Sequence, residues 1–136
     1  MLLSASFLSR AMTGQNYERP LIPTIAYQLT SAIPPVLSYI DQAILLDPFI
    51  FSKDLETQVS VLIIQPIISA LREGGEAHGA SWPNIIVVDG LDEYRDSTSQ
   101  KRLLLALQKV AQIPLFPIRI LISSRPEYHL IPPVRR

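Results

Sequence analysis

The sequence predicts an α/β domain built on a parallel sheet, and three observations support this. The chain has 136 residues, which is the usual size of one domain. Segments of strand character alternate along it with segments of helical period. Two of the strand segments, residues 85–88 and 118–122, are almost continuously apolar. This is typical of parallel strands that are covered by helices on both faces.

The first elements are one strand and two helices. Residues 2–8 form a short apolar run interrupted by small polar residues, which favours a strand. Over residues 21–33 the apolar positions recur at helical spacing, and Pro34 ends that helix. Residues 36–46 form a second helix, which closes at Asp47 because the residue before a proline is disfavoured in the α region.

The third helix is predicted to be irregular. It begins near Asp54, whose carboxylate suits a helix N-terminus, and it continues to residue 71. Pro66 stands inside it and predicts a kink or a locally broken turn. Residues 73–83, which hold three of the five glycines, then form a loop.

The last part of the chain returns to alternating elements. Residues 84–89 form an apolar strand whose last residue is an aspartate. A helix follows, and Ser97 or Ser99 is predicted to cap its N-terminus. Residues 118–123 form the final strand.

Composition excludes several classes of protein. Twelve basic residues balance twelve acidic ones, so neither a disordered tail nor a charge-driven nucleic-acid arm is expected. The absence of cysteine excludes disulfides and thiolate chemistry, and the two histidines are too far apart for an imidazole metal site. The uncharged stretch 20–40 contains four prolines, which argues against a membrane span. We therefore expect a cytoplasmic protein without nucleic-acid or membrane partners.

The acids after the first buried strand are the main candidate site. Asp89, Asp92 and Glu93 place three carboxylates within five residues, at the strand end where open α/β sheets bind ligands. Such carboxylates repel one another unless a cation neutralises them, and Mg²⁺ prefers oxygen ligands. Asp89 would hold the metal, and Asp92 or Glu93 would orient or deprotonate a water.

The end of the final strand supplies the complementary groups. Ser123 and Ser124 offer hydroxyls, and Arg125 offers a guanidinium that suits a phosphoryl group. The alternative interpretation is structural. Acids after a strand often cap the next helix, and Arg125 on its own is an ordinary surface residue.

These residues also resemble a known family. Residues 85–93 contain the motif DGLDE and residues 120–127 the motif SSRPE, and together they look like the Walker B and sensor 1 pair of NACHT-type signal-transduction P-loop ATPases, as in fungal NACHT and nephrocystin-3-like proteins. The resemblance implies a three-layer parallel sheet, Mg²⁺, ATP or GTP, and nucleotide contacts from Ser123, Ser124 and Arg125. It extends upstream to residues 5–10, 21–29, 40–48 and 55–71.

One part of that pattern is missing from the sequence. The phosphate-cradling motif GxxxxGK[ST] does not occur, and Lys53, Lys101 and Lys109 stand in other contexts. The resemblance implies a partial domain, residues 1–136, that begins at its second strand and lacks the P-loop strand. We then expect strand 118–123 to form an exposed edge and the isolated chain to be marginally stable or prone to aggregate.

Two kinds of function follow from this. In the first, the chain is part of an NTPase core and binds a nucleotide once the missing P-loop is supplied. In the second, it is a non-catalytic scaffold or partner-binding module, which could associate with proteins or with itself through the exposed sheet edge. For the 136 residues alone we expect little or no hydrolysis.

Overall fold

The structure is a computed structural model that describes residues 2–5, 21–74, 82–89 and 96–123. The far end of the first predicted strand, most of the 73–83 loop and the site residues Asp92, Glu93, Ser124 and Arg125 lie outside the described residues.

Helices make up most of the described residues. Strand β1 (Leu2–Ala5) precedes helices α1 (Leu21–Ala32) and α2 (Val36–Leu46), and a short 3-10 turn (Ile50–Ser52) follows. The next elements are α3 (Leu55–Val59), a π-helical turn (Ser60–Ile64) and α4 (Gln65–Gly74). Strand β2 (Ile85–Asp89), helix α5 (Ser97–Ala111) and strand β3 (Arg119–Ser123) complete the chain as described.

The first two helices form as the sequence predicts. Helix α1 buries its apolar face through residues that include Ile22, Ile25 and Leu29. Pro23 is tolerated there because the first-turn N–H groups of a helix have no intrahelical acceptor. Helix α2 ends at Leu46, as expected from the Asp47-Pro48 pair.

The predicted break near Pro66 is confirmed. Just before it the helix widens into a π-helical turn, in which the Gln65 N–H bonds to the Ser60 carbonyl. Pro66 has no N–H to offer Leu62, so an unbroken α-helical ladder is impossible at this point. The π-helical turn therefore lies just before Pro66, where the hydrogen-bond pattern of the helix has to change.

The cap of α5 differs from the prediction. Asp96, rather than Ser97 or Ser99, occupies the N-cap position in an extended conformation, and its carboxylate accepts a hydrogen bond of 2.8 Å from the Ser99 N–H. A carboxylate at this position satisfies an N–H group that the helix leaves free.

The described strands form a parallel three-stranded sheet in the order β1-β2-β3. In β2 the side chains of Ile86 and Val88 are fully buried. The pairing register places Ile120 and Ile122 of β3 beside them on the same face, where they pack against the core. On the opposite face of β3, 59% of Leu121 is exposed.

The prediction of a three-layer parallel sheet of P-loop NTPase type is wrong. The described strands are only four or five residues long, and most of the described chain is helical. The large apolar residues of α1 to α5 form one core in which helix packs on helix, and that core meets one face of the sheet. A sheet buried on both faces is therefore also wrong for β3, because its alternate residues are exposed.

Candidate functional site

The carboxyl ends of β2 and β3 lie side by side. The parallel register pairs Asp89, the last residue of β2, with Ser123, the last residue of β3. Both residues are exposed. One member of each predicted group thus reaches the same edge of the sheet, although 34 positions separate them in the sequence. The sequence-based expectation of two neighbouring strand ends is confirmed.

The local structure explains why Asp89 is accessible. In β2 the side chains alternate between the core face and the opposite face, and Ile86 and Val88 take the core positions. Asp89 follows them as an exposed residue at the strand terminus. An exposed carboxylate in this position is accessible to water and to a cation.

Helix capping is already supplied by another acid. The structural interpretation of the acids after β2 is that they cap the next helix, and Asp96 does this through Ser99. Asp89 ends its strand seven positions earlier and belongs to β2 itself. Its exposed carboxylate is therefore not the cap of α5.

The oxygen ligands at this edge are compatible with Mg²⁺. This ion typically uses one or two carboxylates, keeps several waters and completes its shell with substrate phosphates. Asp89 supplies one such carboxylate, and Ser123 brings a hydroxyl to the same strand ends. Within the described ranges no three His, Cys, Asp or Glu residues gather in a group that could hold a metal ion. An ion at Asp89 would thus take its remaining ligands from water or from a nucleotide.

Two of the three lysines are held in ion pairs. The Lys53 ammonium lies 2.5 Å from an Asp47 oxygen, and the Lys109 ammonium lies 3.2 Å from a Glu56 oxygen. The hydrogen bond from Lys53 lowers the pKa of the Asp47 carboxyl, with a further contribution from the positive charge. Neither partner carboxylate belongs to the predicted site.

An apolar groove of about 560 Å³ lies between α5 and β3. Its lining residues come from the end of α5, the connector after it and β3, and they include Leu107, Val110, Leu115, Phe116, Ile120 and Ile122. Among the described residues that line it, Arg119 is the one with a charged side chain. The sequence does not predict this groove, because its apolar pattern is that of a strand covered on both faces.

The connector residue Leu115 is unusual in both backbone and exposure. Its φ of 59° places it in the left-handed region, and its side chain is fully exposed. A bulky residue at positive φ is uncommon and costs free energy. The flanking prolines Pro114 and Pro117 are visible in the sequence, but they mark a turn without specifying this conformation.

No helix in the described segments is both long and apolar enough to cross a membrane. Among protein families, the model described as "Nephrocystin 3, N-terminal" matches residues 2–125 of the chain. Neither a curated protein nor a solved structure gives a significant match.

Proposed function

Because the chain belongs to the nephrocystin 3 N-terminal family, we propose that it is the Walker B and sensor 1 portion of a NACHT-type signal-transduction NTPase. The observation that carries this proposal is the pairing of Asp89 with Ser123 at one end of the parallel sheet. Ligands of open α/β sheets bind at the carboxyl ends of the strands. Asp89 and Ser123, two of the residues proposed to act on the nucleotide, stand at that end of β2 and β3.

Each site residue then has a distinct role. Asp89 holds Mg²⁺, partly through water, and Ser123 donates a hydrogen bond to a phosphate oxygen or to a metal-bound water. In the segments that adjoin these strand ends, Asp92 and Glu93 position or deprotonate the attacking water, and Ser124 and Arg125 contact the phosphates. An arginine suits this task because its guanidinium donates paired hydrogen bonds to phosphoryl oxygens.

Mg²⁺ with ATP or GTP is the cofactor set that this proposal requires. The metal would neutralise charge on the phosphates during transfer. The sequence lacks GxxxxGK[ST], whose backbone N–H groups supply most of the phosphate contacts in such enzymes. We therefore propose weak nucleotide binding and no turnover for these residues alone.

The second candidate is a non-catalytic scaffold or partner-binding module. The observation that favours it is the apolar groove beside β3, which lies at the end of the sheet formed by the described strands. In this case Asp89 is an exposed strand-end residue without a ligand.

Paramagnetic NMR separates the two candidates. Mn²⁺, which replaces Mg²⁺ at oxygen sites, would be titrated onto the labelled chain with and without ATP or GTP. The first candidate predicts that amide signals at the ends of β2 and β3 broaden first and that nucleotide increases the effect. It also predicts that Asp89→Asn weakens metal binding by about tenfold or more, which corresponds to about 1.4 kcal/mol.

The matched control is Asp41→Asn, which removes an exposed carboxylate from α2. It should leave the broadening at β2 and β3 unchanged. Broadening that is spread over the acidic surface, or that is equal in the two variants, would remove Asp89 as a metal ligand and leave the scaffold function. Phosphate release measured in parallel should stay at the background rate.

A further inference from the structure

Exposed apolar side chains are concentrated in helix α2 and the turn that follows it. Nine large apolar side chains are exposed in the described part of the chain, and five of them are Leu37, Leu45, Leu46, Phe49 and Phe51. Exposed apolar residues that are scattered singly are normal, whereas groups of them mark interaction surfaces. The concentration between positions 37 and 51 therefore indicates an interaction surface.

The exposed residues of α2 form a stripe along the helix. Leu37, Asp41 and Leu45 follow one another at intervals of four residues, so they lie on one face. Leu37 is 49% exposed and Leu45 is 81% exposed, and the exposed Asp41 stands between them. The buried residues of the helix, Val36 and Ile40, lie on a different face. The stripe is thus apolar at both ends and acidic at its centre.

The turn after α2 holds its aromatic residues on an ordered backbone. Ile50 is fully buried and anchors the turn, while Phe49 beside it is 74% exposed. The Ser52 hydroxyl donates to the Phe49 carbonyl at 2.8 Å, and the Gln58 amide donates to the Phe51 carbonyl at 3.1 Å. Because these bonds fix the turn before any partner arrives, binding here loses less conformational entropy than binding to an unstructured loop.

Asp41 determines the chemistry of the partner. A partner that covers Leu37 and Leu45 also covers the carboxylate between them, and a buried carboxylate is costly unless a cation pairs with it. Asp41 takes part in neither of the ion pairs that the described residues form. Lys53 is the one basic residue between positions 36 and 56, and it pairs with Asp47. The cation therefore has to come from the partner.

Two other occupants fit this charge pattern less well. Membrane surfaces attract proteins through exposed lysines and arginines, whereas four acids accompany the single lysine between positions 36 and 56. A second copy that packs antiparallel across a two-fold axis at the centre of the stripe places Asp41 against its own counterpart. Like charges that face each other in an interface repel.

From these observations we propose that α2 and the turn after it dock an amphipathic helix of a partner, whose apolar face covers Leu37, Leu45 and Phe49 and carries a lysine or arginine that pairs with Asp41. The backbone groups within α2 are bonded inside the helix, so the partner has to satisfy its own backbone groups, as a helix does. Amphipathic helices are commonly recognised through anchors three and four residues apart. The proposal does not depend on nucleotide binding.

A displayed library of helices tests the predicted chemistry. Each member is about 20 residues long, because shorter helices are marginal in water, and carries a leucine stripe whose central position is randomised. Selection on the wild-type chain should enrich lysine and arginine at that position, and selection on the Asp41→Lys chain should enrich glutamate and aspartate. Failure to enrich any helix, or the same residues from both chains, would overturn the proposal.

Titration of the helix enriched on the wild-type chain, followed by fluorescence anisotropy, measures the contribution of single residues. Leu45→Gln should weaken binding by at least about tenfold. The matched control is Leu105→Gln, which changes a leucine that is 57% exposed on α5 and should leave the affinity unchanged. Circular dichroism checks that both variants are folded. Equal affinities for the Leu45→Gln and wild-type chains would contradict the proposal.

Vesicle flotation and sedimentation equilibrium test the other occupants. Vesicles of phosphatidylcholine and phosphatidylserine should not bind the chain, and Leu45→Gln should not change its state of association. Vesicle binding that Leu45→Gln abolishes would assign this surface to a membrane, and a dimer that Leu45→Gln dissociates would assign it to a second copy. Either result contradicts docking of a basic amphipathic helix.

Discussion

Asp89 and Ser123 are paired residues at the carboxyl ends of adjacent parallel strands. This pairing brings together a carboxylate and a hydroxyl that lie 34 positions apart in the sequence. It also allows a test that needs no ligand, because a ligand-binding acid and a helix-capping acid contribute differently to stability.

Asp96→Ala should lower the free energy of unfolding by about 1 kcal/mol. The substitution removes the carboxylate that accepts the hydrogen bond from the Ser99 N–H at the start of α5. Asp89→Ala should change the same quantity by less than about 0.5 kcal/mol, because the side chain is exposed at a strand end. Urea denaturation of the two variants measures both values. A loss at Asp89 as large as that at Asp96 would favour a structural role for Asp89.

Gln58 is a buried polar residue that joins the 3-10 turn to α3. Its side-chain amide donates to the carbonyls of Phe51 and Lys53, at 3.1 and 2.8 Å. Gln58→Ala removes both hydrogen bonds, each worth about 0.5 to 1.5 kcal/mol. We expect the free energy of unfolding to fall by about 2 kcal/mol.

The control for this prediction is Gln42→Ala, which truncates an exposed glutamine on α2. Its effect should stay within about 0.5 kcal/mol. Chemical denaturation with a common slope for all variants gives the comparison. Equal values for Gln42→Ala and Gln58→Ala would show that the two hydrogen bonds add nothing to stability.

The helical part of the fold was predictable from local signals. The apolar period of α1, the proline after it and the break at Pro66 each act within a few residues. The layer arrangement was not predictable in the same way. The apolar runs in β2 and β3 are consistent with strands covered on two faces, but only the pairing and the helix packing decide which face is covered.

The candidate site was predictable in part for a similar reason. An apolar strand that ends in an acid is a local pattern, so Asp89 and the end of β3 could be singled out. The groove depends on how α5 packs beside β3, and no local pattern encodes it. Leu115 is the extreme case, since leucine is disfavoured in the left-handed conformation that it adopts. Asp96 was not predicted as the cap because Ser97 and Ser99, which follow it closely, are residue types that are equally common at the N-cap position.

The Asp47–Lys53 ion pair predicts a dependence of stability on pH. The hydrogen bond from Lys53 lowers the pKa of the Asp47 carboxyl in the folded chain. A lowered folded pKa gives stability that is present above the unfolded value, about 3.9, and is lost as the pH falls through the folded pKa. Asp47→Asn should therefore flatten the loss of stability on acidification. The effect should be small, because both side chains are partly exposed.

Urea denaturation from about pH 6 to pH 3 measures this slope. Asp54 contributes with the same sign, because its hydrogen bond from Thr57 lowers the pKa of its carboxyl. Lys53→Met, which removes the partner of Asp47 and keeps the carboxyl, should flatten the same slope. A steeper acid loss in Asp47→Asn than in the wild type would contradict the assigned direction.

The left-handed backbone at Leu115 should lower the stability of the fold. Leu115→Gly relieves a conformation that costs leucine about 1 to 2 kcal/mol, and the exposed side chain loses no buried contact. After the extra entropy of glycine in the unfolded chain, a gain of about 0.5 to 1 kcal/mol in the free energy of unfolding is expected.

Leu115→Ala is the matched control, because it removes the same side chain and keeps a residue with a Cβ at positive φ. Only the glycine variant should be more stable than the wild type. Urea denaturation of the three chains measures the free energies of unfolding. If the alanine and glycine variants unfold with equal free energies, the left-handed backbone carries no strain.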